Sequence, residues 1–484
     1  MFKMKLLFPV IFFLLLVSCT KEYGDPDQKE KVKFAVETGD SDIPYIMITT
    51  TGEILNEPKV SGKMNIYINK TNVLETHIGI EYRGSTSFRI SDKKSYGIET
   101  RDKEGNSSEK EVLGFPAESD WILTGDVFKA SGHTIFDPTL MHHYVGYELF
   151  RDMGNYSSRS RFVELELNGT YLGVYILMEK LKRGSDRIDI KKLASTDTDT
   201  ASITGGYILK IDKTSGSDVI GYHPLDYYLN NWDDDARYTE HNSFRSKYDI
   251  FRQPVTTTPY GPPYNSDKYK ETYFLYEYPD ADVINEPQKK YIQNYIDSFE
   301  TALLADDFIS EQRTYTNYID RKSFIDFFII NEVTGNVDGY RLSTYMYKER
   351  GGKLKMGPVW DLNIGYNLQD RVPFNDWIIN YNTYVIADAW MVPFWWKRLM
   401  EDPQFRSELK VRWTELRAGV LSNLSVLSLV NETSQSLISN NAIARNYTKW
   451  TGITVNYSGS VSDLKNWLSN RLEWMDSEIA TIAP

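Results

Sequence analysis

A β-hairpin with an aspartate on each side is the sequence feature that most constrains how this chain folds. Strand-forming residues make up Thr344–Lys348, the glycines of a turn follow in Glu349–Gly352, and Lys353–Met356 has the pattern of a return strand. Asp338 precedes the first strand and Asp361 follows the second, at nearly equal distances from the turn. Because a hairpin returns its two ends to one edge, the sequence predicts that the two carboxylates lie close together.

Two further polar residues accompany the aspartates, Ser343 ahead of the hairpin and Asn363 behind it. In a protein kinase the first Asp of this layout receives the acceptor proton, a polar residue five positions later helps to hold metal, and an Asp after the hairpin binds Mg²⁺. Here Ser343 stands where a kinase has Asn, and the chain contains neither H-R-D nor D-F-G. On the motif alone, the alternative is that both aspartates are structural, as caps or ion-pair partners.

Blocks of sequence spread over about residues 40–480 carry a wider resemblance, and they occur in the order of a known family. They are Tyr82–Ser87, Lys93–Tyr96, Leu113–Pro116 with Asp120-Trp121, Ser158–Leu165, Asn168–Tyr175 and Gly205–Leu209. In these blocks the chain resembles the CotH family, the spore-coat-type atypical protein kinases, in its lipoprotein branch. The resemblance implies an α+β, atypical protein-kinase-like two-lobed fold, with a β-rich N-terminal lobe and a helical C-terminal lobe.

The resemblance also implies a reaction and roles for the hairpin residues. The γ-phosphoryl group of ATP would pass to Ser or Thr hydroxyls of an extracytoplasmic protein, whose identity the sequence does not give. Asp338 would orient or deprotonate the acceptor hydroxyl. Asp361 would hold Mg²⁺ or Mn²⁺ against the phosphates, with help from Ser343 or Asn363.

Four residues of the first half are candidates for nucleotide binding: Arg83, Ser85, Lys94 and Lys180. A Gly/Ser turn exposes backbone N–H groups, and Arg and Lys match phosphate oxygens in charge. The turn is no Walker loop, because G-x-x-x-x-G-K is absent. A solvated basic turn is the alternative for the first three residues, and a surface Lys–Glu pair is the alternative for Lys180.

A second hypothesis is a catalytically weak or inactive scaffold or binding lipoprotein on a kinase-like frame. The chain carries an export signal, and ATP is scarce outside the cytoplasm. Ser343 replaces a better metal ligand, and Asn363 stands where other family members carry a second Asp.

The N-terminus predicts a bacterial lipoprotein. Lys3 and Lys5 form a basic start, Leu6–Val17 is apolar but too short to span a bilayer, and Cys19, the sole cysteine, ends a lipobox. A plain signal peptide with a buried cysteine is the alternative. We expect a lipidated Cys19 that anchors the protein to a membrane of the cell envelope, with the outer membrane as the expected location, although Thr20 leaves the sorting open.

The length and net charge of the chain limit the number of lobes and the kinds of partner that it can have. The 484 residues allow two or three lobes, and the net charge of −12 argues against a nucleic-acid partner. The segments we expect are a signal peptide (1–18), a lipidated Cys19 with its tether (19–42), a β-rich lobe (43–215), a loop-rich insertion (216–282) and a helical lobe with the aspartate hairpin (283–484).

Local signals predict several elements. A helix is expected near Pro138–Met153, a tight turn at Asn168-Gly169, and helix starts at Asn285 and Asp320. Neighbouring histidines on a helix diverge by about 100°, so His142 and His143 do not predict a metal site.

Overall fold

The computed structural model describes residues 33–37, 41–84, 86–214, 238–260, 270–366, 371–386, 388 and 390–482. The chain divides into two units, Met1–Glu37 and Thr38–Pro484, and the elements below belong to the second. The expected signal peptide, Cys19 and Ser85 lie outside the described residues, as do large parts of the expected insertion, 215–237 and 261–269.

Sixteen strands are present in the described part of the chain. They are β1 (Tyr45–Thr50), β2 (Val60–Ile68), β3 (Thr71–Arg83), β4 (Ser95–Arg101), β5 (Lys110–Val112), β6 (Phe115–Glu118), β7 (Asp120–Thr124), β8 (Phe128–Lys129), β9 (Thr134–Ile135), β10 (Ser160–Leu167), β11 (Thr170–Glu179), β12 (Tyr207–Ile211), β13 (Ser243–Arg245), β14 (Tyr273–Tyr278), β15 (Thr344–Lys348) and β16 (Leu354–Met356).

Seven of these strands close into a barrel in the order β1-β10-β11-β7-β4-β3-β2. The closure depends on one parallel pairing, in which Tyr45 to Ile48 of β1 lie beside Glu164 to Leu167 of β10. Apolar residues alternate along each strand and fill the interior, such as Ile78 and Ile80 in β3. The tight turn at Asn168-Gly169 is confirmed, since both residues have positive φ and join β10 to β11. The sequence did not predict that the β-rich half closes on itself.

A second sheet has the order β13-β14-β12-β15-β16. Its last two strands are the hairpin predicted between the aspartates, and Met346 pairs with Met356 in antiparallel register. The two ends of that hairpin therefore meet at one edge, as expected. Strands β13 and β14 fall inside the segment 216–282, for which we expected mainly loops.

Ten α-helices accompany the sheets in the described residues. They are α1 (Thr86–Ile90), α2 (His142–Asp152), α3 (Glu286–Leu304), α4 (Arg321–Thr334), α5 (Tyr381–Tyr384), α6 (Trp395–Leu399), α7 (Pro403–Arg417), α8 (Asn423–Ser439), α9 (Ala442–Lys449) and α10 (Tyr457–Thr481).

The sequence predicted three of these helices, one by its approximate range and two by their first residues. Helix α2 lies within the expected Pro138–Met153 segment. Helix α3 begins with the capping box of Asn285 and Gln288, and α4 begins where the Asp320 side chain accepts from the backbone N–H of Ser323.

The mixture of helices and sheets confirms an α+β fold. Most of α4 is buried on all sides, because it runs through the middle of the large apolar core before it reaches the Asp338 loop. No helix in the ranges described above is long and apolar enough to cross a bilayer.

Candidate functional site

A cleft of about 640 Å³ lies between barrel strands and the edge where the aspartate hairpin begins and ends. Its barrel side includes residues of β3, β4 and β7 and the chain leaving β11. Its other side includes Asp338, Ser343, Asp361 and Asn363. The structure therefore brings together all four polar residues that the hairpin argument grouped. Two of the candidates from the first half, Arg83 and Lys180, line the same cleft.

Asp361 has an unusual backbone and an unusual charge state. Its φ of 57° and ψ of 56° put it in the left-handed region, which is uncommon for a residue other than glycine. Burial, together with the nearby charges of Asp338 and Asp212, raises the pKa of its carboxyl to about 6. Its carboxylate accepts no hydrogen bond from the residues that the structure describes. This combination of strain and an unsatisfied charge is typical of functional sites.

Asp338 is held by an arginine that the sequence analysis did not single out. Arg341, which is 1% exposed, donates from Nη2 to Oδ1 of Asp338. The same guanidinium donates from Nε to the carbonyl of Val337 (2.8 Å) and from Nη1 to the carbonyl of Trp390 (3.0 Å). Arg341 therefore fixes one carboxylate oxygen of Asp338 and leaves the other oxygen for a ligand.

Ser343 faces a third carboxylate, which the sequence analysis also missed. Its hydroxyl lies 3.4 Å from Oδ2 of Asp212, and its own φ is 47°. Burial raises the pKa of Asp212. The cause of this neighbourhood is the pairing of Ile211 with Thr344 between β12 and β15, which sets Asp212 beside Ser343. The acidic residue after the strand Tyr207–Ile211 was a visible signal, but only the strand pairing reveals its position.

Arg83 and Lys180 are cations without an ion pair in the described part of the chain. The Arg83 guanidinium lies 5.4 Å from the centre of the Trp360 ring. Lys180 is exposed, and the neighbouring Glu179 pairs with Arg159 (2.8 Å) and Arg187 (3.0 Å) instead. The alternative of a Lys180–Glu179 pair is therefore not what the structure has. Both cations remain available to an anionic ligand in the cleft.

Lys94 does not join the other candidates. Its ammonium donates to the carbonyl of Phe88 and lies 5.0 Å from the centre of the Phe88 ring. It is not among the residues that line the cleft, and burial lowers its pKa. Lys93 is buried and donates to the carbonyl of Val174. Lys93 is thus used inside the fold, and the half-exposed Lys94 is bound to the neighbouring backbone.

The donor atoms of the site suit Mg²⁺ or Mn²⁺ in type. Asp361 offers carboxylate oxygens, Asn363 an amide oxygen and Ser343 a hydroxyl, and hard divalent cations prefer such oxygens. Among the described residues, no group of three or more His, Cys, Asp or Glu is close enough to hold a metal ion by itself. Magnesium sites in phosphoryl-transfer enzymes usually have one or two carboxylates and are completed by phosphate oxygens and water. The residues present fit a site of that kind.

The two adjacent histidines contact the backbone that follows Asp361, at Leu362 and Asn363. Both are buried, at the start of α2. Burial lowers the pKa of His143 to about 4, so its ring is neutral and Nδ1 is an acceptor.

Comparison with known protein families identifies the chain. The model of the CotH kinase protein family matches residues 80–475, which is more than half of the chain. The chain therefore belongs to the CotH family, and the resemblance drawn from its sequence blocks is confirmed. Kinases in general use ATP and a divalent metal ion. No curated protein matches the chain.

Proposed function

We propose that this protein is an atypical protein kinase that transfers the γ-phosphoryl group of ATP to Ser or Thr hydroxyls of an extracytoplasmic protein. One observation carries the proposal. Asp338 and Asp361 meet at the edge of the hairpin, in a cleft whose barrel side presents Arg83 and Lys180, neither of which forms an ion pair with a described residue. Phosphoryl transfer depends on positioning and charge neutralisation, and this cleft has groups for both.

In this proposal the barrel corresponds to the N-terminal lobe of a kinase, and the second sheet with the helices corresponds to the C-terminal lobe. The nucleotide would lie in the cleft between them. Arg83 at the end of β3 and Lys180 after β11 would contact the phosphate oxygens, because both cations lack a competing carboxylate within the described residues. Lys94 has no part in this scheme, because its ammonium is held by Phe88.

Asp361 would bind the divalent metal ion, with Asn363 or Ser343 as the second protein ligand. The metal, when bound, neutralises negative charge on the phosphates during transfer. Asn363 is 9% exposed and lines the same cleft as Asp361, which supports it as that second ligand. Ser343 is the weaker candidate, because its hydroxyl faces Asp212.

Asp338 would orient the acceptor hydroxyl and accept its proton. Arg341 holds one oxygen of the carboxylate, so the other oxygen has a fixed direction. A loose transition state needs little help from a strong base, and a carboxylate in a fixed place is sufficient to align the attacking oxygen.

The proposed location is the cell envelope. Lys3, Lys5, Leu6–Val17 and Cys19 support export and a lipid anchor, most simply at the outer membrane. An anchored kinase would act on proteins that are themselves exported.

The decisive experiment measures transfer of radiolabelled γ-phosphate by the wild type and the Asp338→Asn variant, to the protein itself and to co-expressed exported proteins. Asparagine keeps the shape and removes the charge, so transfer should fall by about 10²-fold or more while nucleotide affinity stays near that of the wild type. Asp306→Asn, an exposed aspartate outside the cleft, is the matched control and should leave transfer unchanged.

Two outcomes would contradict the proposal in different ways. Activity that survives Asp338→Asn undiminished means that another group orients the acceptor. A wild type that neither transfers phosphate nor binds nucleotide with Mn²⁺ is the inactive scaffold of the second hypothesis.

A further inference from the structure

We infer that helix α2 is the positioning element of Asp361, and that His142, His143 and Tyr147 hold the loop 361–366 so that the Asp361 carboxylate is turned into the cleft. The inference rests on the proposed function insofar as Asp361 is a metal ligand. The holding contacts themselves are independent of that role. Nothing in the sequence connected this helix to the aspartate hairpin.

The first contacts are hydrogen bonds to the backbone of Asp361 and Leu362. The Asp361 N–H donates to the Tyr147 hydroxyl oxygen, and the Leu362 N–H donates to Nδ1 of His143, both at 3.3 Å. The Tyr147 hydroxyl in turn donates to the same Nδ1 at 3.4 Å. The four groups form a closed ring, so two consecutive amides of the loop are bound to one face of α2.

The next contacts bind the far end of the loop to the start of α2. Nδ1 of His142 donates to the carbonyl oxygen of Asn363 at 3.1 Å. The Tyr366 hydroxyl donates to the carbonyl of His142 at 3.2 Å, and the two rings lie 4.5 Å apart. The loop is therefore held at both ends by residues from the first two turns of α2.

Packing completes the contact between the helix and the loop. Gly146 lies on the same face of α2, and a Cβ there would come within 2.2 Å of Cδ1 of Leu362. Leu362 is fully buried, so it has little room to move away. A glycine in the middle of a helix weakens it, and here its absence of a side chain allows the loop to approach.

The loop needs such support because its own preferences oppose the observed conformation. Asp361 has positive φ, as does Tyr366, and the Asp361 carboxylate is close enough to Asp338 for their charges to repel. Without α2, the backbone would relax toward an ordinary conformation and the carboxylate would turn away from the cleft. The polar residues of α2 contact backbone atoms of the loop, so their part is positioning rather than catalysis.

Tyr147→Phe tests the inference, with Tyr144→Phe as the control on the same helix. Tyr144 packs its ring against Phe162, and its hydroxyl makes no hydrogen bond within the described residues. In hydrogen exchange of the nucleotide-free protein, Tyr147→Phe should speed exchange in the segment 361–366 by roughly three- to tenfold, the effect of losing one hydrogen bond. Tyr144→Phe should leave exchange there unchanged.

Affinity for Mn²⁺ with a non-hydrolysable ATP analogue gives the second readout. Tyr147→Phe should weaken this affinity by roughly three- to tenfold, and it should have no further effect in an Asp361→Asn background, because the helix acts through Asp361. A second pair of variants tests the other bond. His143→Asn keeps an acceptor near the position of Nδ1 and should preserve protection of the loop, whereas His143→Leu should lose it.

Equal exchange and equal affinity for Tyr147→Phe and Tyr144→Phe would overturn the inference. So would a Tyr147→Phe effect on affinity that persists unchanged without the Asp361 carboxylate. If the wild type binds no Mn²⁺–nucleotide, the proposed function fails, and hydrogen exchange still decides whether α2 holds the loop.

Discussion

Asp361 occupies a position that folding alone does not favour. A left-handed backbone at a non-glycine residue costs about 1 kcal/mol or more, and repulsion between the carboxylates of Asp361 and Asp338 adds to this cost. Both costs are tolerated because α2 fixes the loop from one side and the carbonyl of Thr334 accepts from the Tyr366 N–H on the other. A residue with these costs is expected to serve a ligand rather than the stability of the fold.

Asp361→Asn should therefore abolish the metal-dependent part of nucleotide binding without weakening the folded state. The amide removes the repulsion, and asparagine adopts positive φ more readily than most residues. We expect the free energy of unfolding without ligand to be unchanged or higher by about 1 kcal/mol. Thermal unfolding with and without Mn²⁺ and an ATP analogue measures both effects.

The pH dependence of that variant has a defined sign. The pKa of Asp361 is raised in the folded state to about 6, so its ionisation destabilises the wild type as the pH rises through that value. The stability gain of Asp361→Asn should be larger at pH 7.5 than at pH 4.5. A variant that unfolds more easily than the wild type at both pH values would identify Asp361 as a structural residue.

Among the secondary-structure elements, α3 has a buried carboxylate that forms no ion pair with any cation in the described residues. Glu300 is 1% exposed and accepts from Nε1 of Trp395 and from the Ser246 hydroxyl, both at 2.8 Å. Burial raises its pKa to about 8. Its folded pKa exceeds its unfolded value, so the folded state keeps the proton through the range from about 4.5 to 8, and stability falls as the pH rises through that window.

Glu300→Gln should remove this pH dependence, because glutamine is neutral at every pH and its amide oxygen still accepts from Trp395. Between pH 5 and pH 8 the wild type should lose about 2–4 kcal/mol of unfolding free energy relative to the variant. Urea unfolding at the two pH values measures it. The exposed Glu311→Gln is the control. A difference that is the same at both pH values would mean that Glu300 is ionised throughout.

Whether the sequence predicts an element depends on how far apart along the chain its contacting residues lie. The hairpin Thr344–Met356 and the caps at Asn285 and Asp320 are local, so residue patterns were sufficient. Closure of the barrel needs the parallel pairing of β1 with β10, which joins segments more than one hundred residues apart, and no local pattern records it.

The same limit applies to the site. Asp338, Ser343, Asp361 and Asn363 were predictable because one hairpin joins them. Asp212 reaches Ser343 only through the pairing of β12 with β15, and α2 reaches Asp361 only through tertiary packing. Lys94 does not line the cleft, and the sequence could not show this, because a basic pair at a strand start looks the same whether it faces a ligand or a backbone carbonyl.

At the scale of the whole molecule, charge is unevenly placed. The net charge is −12, yet the cleft contains Arg83 and Lys180 without ion pairs in the described residues. An acidic protein that binds a polyanion needs such a local basic site, because its overall field repels the ligand. Nucleotide binding by this cleft should therefore weaken steeply as salt screens those few contacts.

The last whole-molecule question is where the protein resides, and Cys19 carries that prediction. The cysteine follows an apolar leader, and it lies outside the described residues. Acyl chains contribute about 0.8 kcal/mol for each buried CH₂ group, so a lipidated Cys19 would hold the protein on the membrane during fractionation.

Cys19→Ser should release the protein from the membrane fraction or leave it unprocessed, with loss of labelling by a radioactive fatty acid. Thr20→Ser, beside it, is the control and should keep both the label and the membrane location. The proposed nucleotide site lies far along the chain from Cys19, so the released Cys19→Ser protein should still bind nucleotide as the wild type does. Unchanged fractionation together with an unchanged mass would mean that Cys19 is no lipid attachment site, and the protein would then need another explanation for its apolar leader.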